Sequence, residues 1–297
     1  MDIKSTMLEV IDWYTRIEIL FELIKQTKNR EVVFIESIAR EDGRKPAIRN
    51  LRVHTVQHFE EISKFIGLYK KCYNCYYSLA TFRQGLPYQT LNMKERDNTE
   101  WNNTCWKDII DFDMLIDFDC DNDKQCEEVK KDVIEVSNIF KDVPHSIAFS
   151  GCGFHITIES KYIPKPKNYP EWYNIEADIN FFDLWYELLD KLKRTYGVID
   201  KTICDTRRVS KLKYSLAIYD DSTYVCYPYF KHSEISEILI PQFTTSWILS
   251  STSSIRNRGV PILNLERVND ADPSSAMRAV CKKLLGKKWD KYERLIS

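Results

Sequence analysis

The hydrophobic positions along the chain follow a helical spacing in some segments and a strand spacing in others. The helical spacing predicts helices over residues 5–27, 56–71, 124–142, 179–197 and 233–243, and one that starts at Pro273 with Asp272 or Ser274 as its cap. Alternating or short apolar runs predict strands over residues 31–37, 47–53, 75–82, 112–119 and 222–230, and a strand–turn–strand over 145–160. Because strands and helices succeed one another irregularly, the pattern favours an α+β fold with a mixed or antiparallel sheet flanked by helices.

Length and composition indicate one large folded unit. The chain has 297 residues, of which 43% are hydrophobic, and it contains only 8 Gly and 10 Pro. It can therefore bury a sizeable core, and no linker is long enough to separate independent domains. We expect a single core over 1–297, with an N-terminal αβ part to about residue 72, a motif-bearing part over about 73–232 and a largely helical part over about 233–297.

The sequence predicts an intracellular, cytoplasmic protein. Its N-terminal segment lacks the apolar region and cleavage site of a signal peptide, and no uncharged apolar run is long enough to cross a membrane. Nine cysteines without a regular framework indicate structural thiols in a reducing compartment. We therefore expect no membrane partner.

Charge is distributed unevenly although the net charge is only −1. Residues 101–142 hold 12 Asp and Glu against 5 Lys and Arg, whereas residues 191–215 hold 8 basic against 2 acidic residues and residues 278–294 hold 7 against 2. Such blocks suit a metal site that faces a phosphate-binding surface. They are equally compatible with solvated helix faces.

Two carboxylates end the apolar run MLIDFD. Asp117 and Asp119 alternate along the predicted strand, so both side chains lie on one face, roughly 7 Å apart. A divalent metal is the usual compensation for two acids placed in this way. The alternative is a strand that runs into a solvated acidic loop with Asp121 and Asp123.

The segment FSGCGFHI is the second candidate. Ser150, Gly151 and Gly153 form a small-residue turn, and His155 begins the next strand. Exposed backbone amides, a hydroxyl and an imidazole together make a candidate phosphate cradle. The alternative is an ordinary hairpin with a buried histidine.

The third candidate is the basic segment 198–216, which we expect to be irregular. Asp200 follows two apolar residues and precedes Arg208 and Lys211. An acid ahead of basic residues can supply one more metal ligand beside cations that grip a triphosphate. Asp205 competes for the ligand role, although its position beside Thr206 and Arg207 is more typical of a local cap or ion pair. A surface loop of charge pairs is the alternative.

Structural zinc is not expected. Cys72 and Cys75 form a CxxC pair, but no second CxxC or Cys/His pair has structural-zinc spacing.

The ordered trio of motifs resembles the archaeo-eukaryotic primase superfamily, over about residues 30–230. LIDFD matches its first motif, SGCGFH its second and VID its third. The resemblance implies an RRM-like primase catalytic core with an N-terminal αβ subdomain. It also implies that two Mg²⁺ or Mn²⁺ ions are held by Asp117, Asp119 and Asp200.

The same resemblance assigns the nucleotide contacts. Ser150 and His155, with the turn glycines Gly151 and Gly153, fall at the nucleotide phosphates, and Arg208 and Lys211 fall where the family places phosphate-contacting basic residues. The implied activity is template-dependent synthesis of primers, or extension of DNA or RNA, on single-stranded DNA. The implied partners are a template, a primer strand, and NTP or dNTP.

Departures from replicative primases favour the compact PrimPol-like branch, whose members occur on plasmids, in phages and beside CRISPR systems. Cys152 stands where those primases often carry a basic residue, and their zinc knuckle is absent. Accessory replication or CRISPR-adaptation proteins are then further candidate partners. A metal-dependent nuclease and a non-catalytic nucleic-acid-binding module remain the alternative functions.

Overall fold

The computed structural model describes residues 12–36, 43, 45, 47–51, 73–83, 105–120, 123–151, 153–166, 171–218, 223–229 and 273–296. The predicted helices at 56–71 and 233–243 lie outside these residues, as does the start of the predicted N-terminal helix.

Helices were predicted close to where they are found. They are α1 (Ile17–Gln26), α2 (Asp123–Ile139), α3 (Phe181–Lys193), α4 (Pro273–Leu285) and α5 (Trp289–Ile296). The side chain of Asn180 caps α3 by accepting a hydrogen bond from the Asp183 amide at 3.0 Å. Pro273 is the first residue of α4, as predicted. No helix in the described ranges is long and apolar enough to cross a bilayer.

The strands are short, each of two to six residues. They are β1 (Val32–Glu36), β2 (Ala47–Leu51), β3 (Tyr73–Ser78), β4 (Ala80–Phe82), β5 (Ile109–Phe112), β6 (Met114–Asp119), β7 (Ser146–Phe149), β8 (Gly153–Ile158), β9 (Ile199–Asp200), β10 (Val209–Lys211), β11 (Leu216–Ile218), β12 (Thr223–Val225) and β13 (Tyr227–Tyr229). Together with the helices they confirm the predicted α+β class.

A five-stranded sheet carries all three motifs. Its strand order is β13-β7-β8-β6-β9, and every neighbouring pair is antiparallel. Strand β6, which contains the first motif, therefore lies between β8, which contains the second motif, and β9, which contains the third. Motifs that are far apart in the sequence become neighbours because these three strands pair.

A four-stranded antiparallel sheet, of order β10-β3-β1-β2, contains the N-terminal strands. Strand β10 follows the third motif in sequence but joins this sheet, so the segment after Asp200 connects the two sheets. The N-terminal segment also packs here: the indole of Trp13 donates to the Tyr214 carbonyl at 2.9 Å, and the Leu216 amide donates to the Tyr14 hydroxyl at 2.7 Å.

The helices cover one face of the five-stranded sheet. Ile116 and Phe118 of β6 are buried, in the same apolar cluster as Val133 of α2 and Leu188 of α3. The indole of Trp185 on α3 donates to the Leu115 carbonyl at 2.7 Å, which fixes the helix on the sheet. Side chains alternate along a strand, so Asp117 lies on the other face.

Two strands that the sequence predicts as continuous are each broken in the structure. The segment 75–82 divides at Leu79 into β3 and β4, and the segment 112–119 divides at Asp113 into β5 and β6. At both breaks the backbone bonds elsewhere: the Leu79 amide donates to the Arg208 carbonyl, and the Asp113 amide donates to the Leu79 carbonyl, both at 3.0 Å. Hydrophobic spacing does not detect a chain that passes from one sheet to another without losing its apolar residues.

Two further expectations need correction. The segment 198–216 is not irregular throughout, because it contains β9 and β10. The predicted strand at 222–230 is interrupted at Cys226, whose amide bonds the Ser215 carbonyl at 2.8 Å, and it becomes β12 and β13 in different sheets.

Candidate functional site

One line of side chains crosses three strands of the five-stranded sheet. Asp117 on β6 lies directly opposite His155 on β8 and directly opposite Asp200 on β9. Directly opposed residues of an antiparallel pair project to the same face. The structure therefore brings one residue from each of the three motifs together, on the face opposite to the one that α2 and α3 cover.

This line would be unfavourable without compensating contacts. Like charges placed directly opposite on neighbouring strands repel, and Asp117 and Asp200 are such a pair. The Nε2 atom of His155 lies 3.3 Å from Oδ1 of Asp117, and Oδ1 of Asp200 accepts hydrogen bonds of 2.8 Å from both the amide and the hydroxyl of Thr202. Each carboxylate thus has its own polar neighbour.

Asp119 continues the line along β6. It lies on the same face as Asp117, two residues nearer the strand end, and it is exposed. Its partner across the pair is Gly153. The two carboxylates of the first motif therefore share one face, as the alternation predicts.

The second motif forms a tight turn in which the glycines have steric roles. Gly151 has a φ of 104°, which L-residues with a side chain rarely adopt. A Cβ atom on Gly153 would lie 2.0 Å from the Phe118 carbonyl oxygen, so only glycine lets β8 approach β6 this closely. Ser150 is buried, and its amide donates to the Gly153 carbonyl at 2.9 Å. That amide closes the turn, so the predicted phosphate cradle cannot use it while the turn is intact.

The loop after Asp200 holds Arg208 by several contacts. Its guanidinium donates to the carbonyls of Ile203 and Thr202 at 3.0 and 3.1 Å and pairs with Asp205 at 3.0 Å. Asp205 also accepts from the Arg207 amide at 2.8 Å, so it is a local cap and ion pair, as its sequence context indicated. Arg208 lines a cavity of about 320 Å³ beside this loop.

Lys211 lies on β10 of the four-stranded sheet, directly opposite Tyr76. Its Nζ atom lies 4.7 Å from the centre of the Tyr76 ring, and its side chain is buried. Strand alternation puts it on the face of β10 opposite to that of Ser210. Ser210, which the sequence analysis did not identify, instead contacts His155, with 3.1 Å between Oγ and Nδ1.

A second polar region lies farther along the same face, between the two sheets. Here a cavity of about 290 Å³ is lined by Arg30, Tyr77, Asp113, Thr157 and Lys213, among others. The ammonium of Lys213 donates to the Ser146 hydroxyl at 2.6 Å, and burial lowers the pKa of Lys213. Burial raises the pKa of Tyr77, which therefore keeps its proton at neutral pH.

An ion pair holds this region together. Arg30 pairs with Asp113 at 2.7 Å, and the other carboxylate oxygen of Asp113 accepts from the Ser160 amide at 2.9 Å. Asp113 is 4% exposed, so these partners, rather than water, stabilise its buried carboxylate.

Within the described ranges, no group of three or more His, Cys, Asp and Glu side chains can by itself hold a metal ion. Asp117, Asp119 and Asp200 share one face without forming a closed cage. An ion such as Mg²⁺ typically binds through one or two carboxylates and completes its shell with water and substrate phosphates. The oxygen donors present fit that kind of site. Cys75 of the CxxC pair is buried in β3, and Cys72 lies outside the described residues.

Comparisons with known proteins give a fold relationship. No protein-family profile matches the chain, and no curated protein matches it. Among solved structures, the polymerase domain of Mycobacterium tuberculosis ligase D in complex with DNA matches with a TM-score of 0.51 at 10% sequence identity, covering 87% of this chain and 91% of that one. A primase called RepB' matches with a TM-score of 0.37 at 10% identity, covering 92% of this chain and 77% of that one. At this identity the first match establishes that the chain shares the fold of a polymerase domain.

Proposed function

We propose that the chain is a template-dependent nucleotidyltransferase of the primase-polymerase type. The observation that carries this proposal is the register of β6, which sets Asp117 directly opposite both Asp200 and His155. An acid pair with an adjacent imidazole, on the face of the sheet opposite helices α2 and α3, suits binding of a metal-bound triphosphate. The shared fold supports the proposal, because the matched polymerase domain was solved in complex with DNA.

Asp117, Asp119 and Asp200 would hold two divalent ions, Mg²⁺ or Mn²⁺. Bound there, such ions would lower the pKa of an attacking 3′-hydroxyl and stabilise the charge on a leaving pyrophosphate. The chain contributes position: the pairing of β6 with β9 fixes the Asp117–Asp200 separation, and Gly153 fixes the approach of β8. Positioning and charge neutralisation supply most of the rate enhancement in phosphoryl transfer.

The nucleotide triphosphate would bind between this carboxylate line and the loop after Asp200. His155 can donate from Nε2 to a phosphate oxygen in place of Asp117, and Arg208 offers a guanidinium tied to the loop that follows the third carboxylate. Ser150, Gly151 and Gly153 shape the turn at the end of the site. Lys211 remains a proposed phosphate contact from the family resemblance, and it would have to leave the Tyr76 ring to act.

The exposed basic residues of the C-terminal helices would contact the nucleic-acid backbone. Lys282, Lys283, Lys287 and Lys288 are all exposed at and after the end of α4. Lysines that neutralise phosphates release counterions, so binding that uses them weakens as salt rises. We propose single-stranded DNA as the template, with a primer strand and NTP or dNTP as the other partners. We further propose a single PrimPol-like core over 1–297.

The test is nucleotide incorporation by the purified chain. Supplied with unprimed single-stranded DNA, Mn²⁺ and labelled nucleotides, the wild type should make short oligomers, and an Asp117→Ala/Asp119→Ala variant should make none. Separate reactions with ribo- and deoxyribonucleotides would give the sugar preference. A wild type that neither primes nor extends a primer would refute the proposal; degradation of the DNA would identify a nuclease, and binding alone a non-catalytic module.

A further inference from the structure

The two ring nitrogens of His155 contact different sheets. Nε2 lies 3.3 Å from the Asp117 carboxylate within the five-stranded sheet, and Nδ1 lies 3.1 Å from the Ser210 hydroxyl on β10 of the four-stranded sheet. Both His155 and Ser210 are at least nine-tenths buried, so water competes little for either contact. The orientation of this imidazole therefore depends on how the two sheets pack.

The chemistry of the partners determines which nitrogen carries the proton. An ionised carboxylate only accepts hydrogen bonds, so the nitrogen that faces Asp117 must be the donor. A neutral imidazole has one N–H, which leaves Nδ1 as an acceptor. Ser210 is then the donor to Nδ1, because a hydroxyl can donate as well as accept.

We propose that Ser210 is a positioning residue that orients the His155 ring by donating to Nδ1, so that Nε2 is directed towards the carboxylate line. Behind it, Tyr77 lies directly opposite Ser210 in the pairing of β10 with β3, so the two side chains project to the same face. The hydroxyl of Tyr77 can then donate to Ser210 while Ser210 donates to His155. The polar side chains are thus aligned in the order Tyr77, Ser210, His155, Asp117.

The consequence for nucleotide binding rests on the proposed function. Phosphate oxygens, like carboxylate oxygens, only accept hydrogen bonds, so an Nε2–H is the form of His155 that attracts a triphosphate. The Nδ1–H tautomer would present a lone pair to the phosphate instead. Ser210 would therefore support nucleotide affinity without touching the nucleotide.

The chain offers an internal control in His145. Its Nδ1 lies 2.7 Å from the Val143 carbonyl, which can only accept, and its Nε2 lies 2.7 Å from the Ser137 hydroxyl. By the same reasoning His145 is held as the Nδ1–H tautomer, with Ser137 donating to Nε2. The two histidines should thus show opposite tautomers, each set by the neighbour that can only accept, with a serine donating to the other ring nitrogen.

The test is ¹⁵N NMR of the full-length chain with labelled histidine, at an alkaline pH where imidazole is neutral. The chain contains five histidines, and the signals are assigned by loss in His155→Gln and His145→Gln. We expect His155 to show Nε2–H and His145 to show Nδ1–H. In Ser210→Ala the Nδ1 shift of His155 should move because that nitrogen loses its hydrogen-bond donor, in Ser210→Thr it should stay near wild type, and in Ser137→Ala only the His145 shifts should move.

An Nδ1–H signal from His155 in the wild type, or His155 shifts that Ser210→Ala leaves unchanged, would overturn the proposal. The spectroscopic result does not depend on enzymatic activity, so a chain that fails to incorporate nucleotides would refute the proposed function while leaving this inference standing. If incorporation occurs, Ser210→Ala should raise the KM for nucleotide roughly 5-fold and change kcat little. The variant loses the neutral hydrogen bond between Ser210 and His155, and His155 then binds the phosphate less well. Ser210→Thr should restore the wild-type KM.

Discussion

The two faces of the five-stranded sheet are built from the same strands but depend on different parts of the chain. The face that carries Phe118 packs against helices α2 and α3, close in sequence to the strands that they cover. The face that carries Asp117 meets partners from distant segments, including Ser210 on β10 and, through Asp113, Arg30 near the N-terminus. The apolar face follows from local alternation, whereas the polar face requires the complete tertiary fold.

Adjacent residues provide the sharpest contrast between the faces. Asp117→Asn removes a charge from the polar face, and we expect nucleotide incorporation to fall at least about 10³-fold with little change in the free energy of unfolding. Phe118→Ala empties a completely buried site on the apolar face, and we expect it to cost about 3–5 kcal/mol of stability. Primer-extension rates and urea unfolding of both variants measure the two effects. A large stability loss in Asp117→Asn would mean that the two faces are not separable.

The ion pair between Arg30 and Asp113 tests whether distant contacts hold the polar face. Arg30→Met leaves a buried carboxylate without its cation, and we expect a loss of about 3–5 kcal/mol in the free energy of unfolding. The matched control is Arg30→Met/Asp113→Asn, in which the introduced side-chain amide oxygen can still accept from the Ser160 backbone amide. The double variant should recover much of the loss. Additive effects would show that the pair is not coupled.

Gly153→Ala tests the contact between the strands that form the site. The added Cβ would lie 2.0 Å from the Phe118 carbonyl oxygen, and we expect the strained variant to lose about 1–3 kcal/mol of stability and much of its activity. Gly197→Ala is the control, because nothing lies within 4 Å of its Cβ position. The thermal unfolding midpoints of the two variants are compared. Equal midpoints would contradict the close approach of β6 and β8.

Lys213 should give the smallest effect. Because burial lowers its pKa, the charged amine costs folding free energy at neutral pH, and that cost disappears as the pH rises towards 10.5, its ordinary value. Lys213→Met should therefore have a higher free energy of unfolding than wild type at pH 7, by less than about 1 kcal/mol. This difference between the two proteins should disappear at alkaline pH. Asp113, Glu159, Arg30 and Cys226 also face this group, so the ionic strength is held constant.

The control for that titration is Lys28→Met, because the side chain of Lys28 is exposed. Urea unfolding across the pH range checks both variants. If the stability advantage of Lys213→Met over wild type instead grew as the pH rises, Lys213 would stabilise the fold in its charged form.

The sequence predicted which residues share a face but not which strands become neighbours. Alternation placed Asp117 and Asp119 together, and motif order pointed to His155 and Asp200. Their common line depends on the pairing of β6 with β8 and β9, which no local pattern encodes. Ser210 was missed for the same reason: a single serine in a basic segment has no distinctive spacing, and its contact with His155 arises only because β10 joins the other sheet.

Lys211 shows what spacing leaves open. The family resemblance assigns it a phosphate contact, which remains a prediction, and the structure places its Nζ atom beside the Tyr76 ring on a three-residue strand. Spacing along a chain identifies a candidate, and the alternation of side chains along the strand decides where that candidate lies. The breaks at Leu79 and Asp113 were unpredictable because the apolar pattern continues through them.

The central claim is that the line of carboxylates binds divalent metal together with a nucleotide. Electron paramagnetic resonance measures this binding directly: the signal of free Mn²⁺ is followed while the chain and a non-hydrolysable nucleotide are added. We expect the wild type to bind Mn²⁺ in a nucleotide-dependent way, and Asp117→Asn and Asp200→Asn each to weaken that binding at least about 10-fold. Equal Mn²⁺ binding by wild type and both variants would contradict the account.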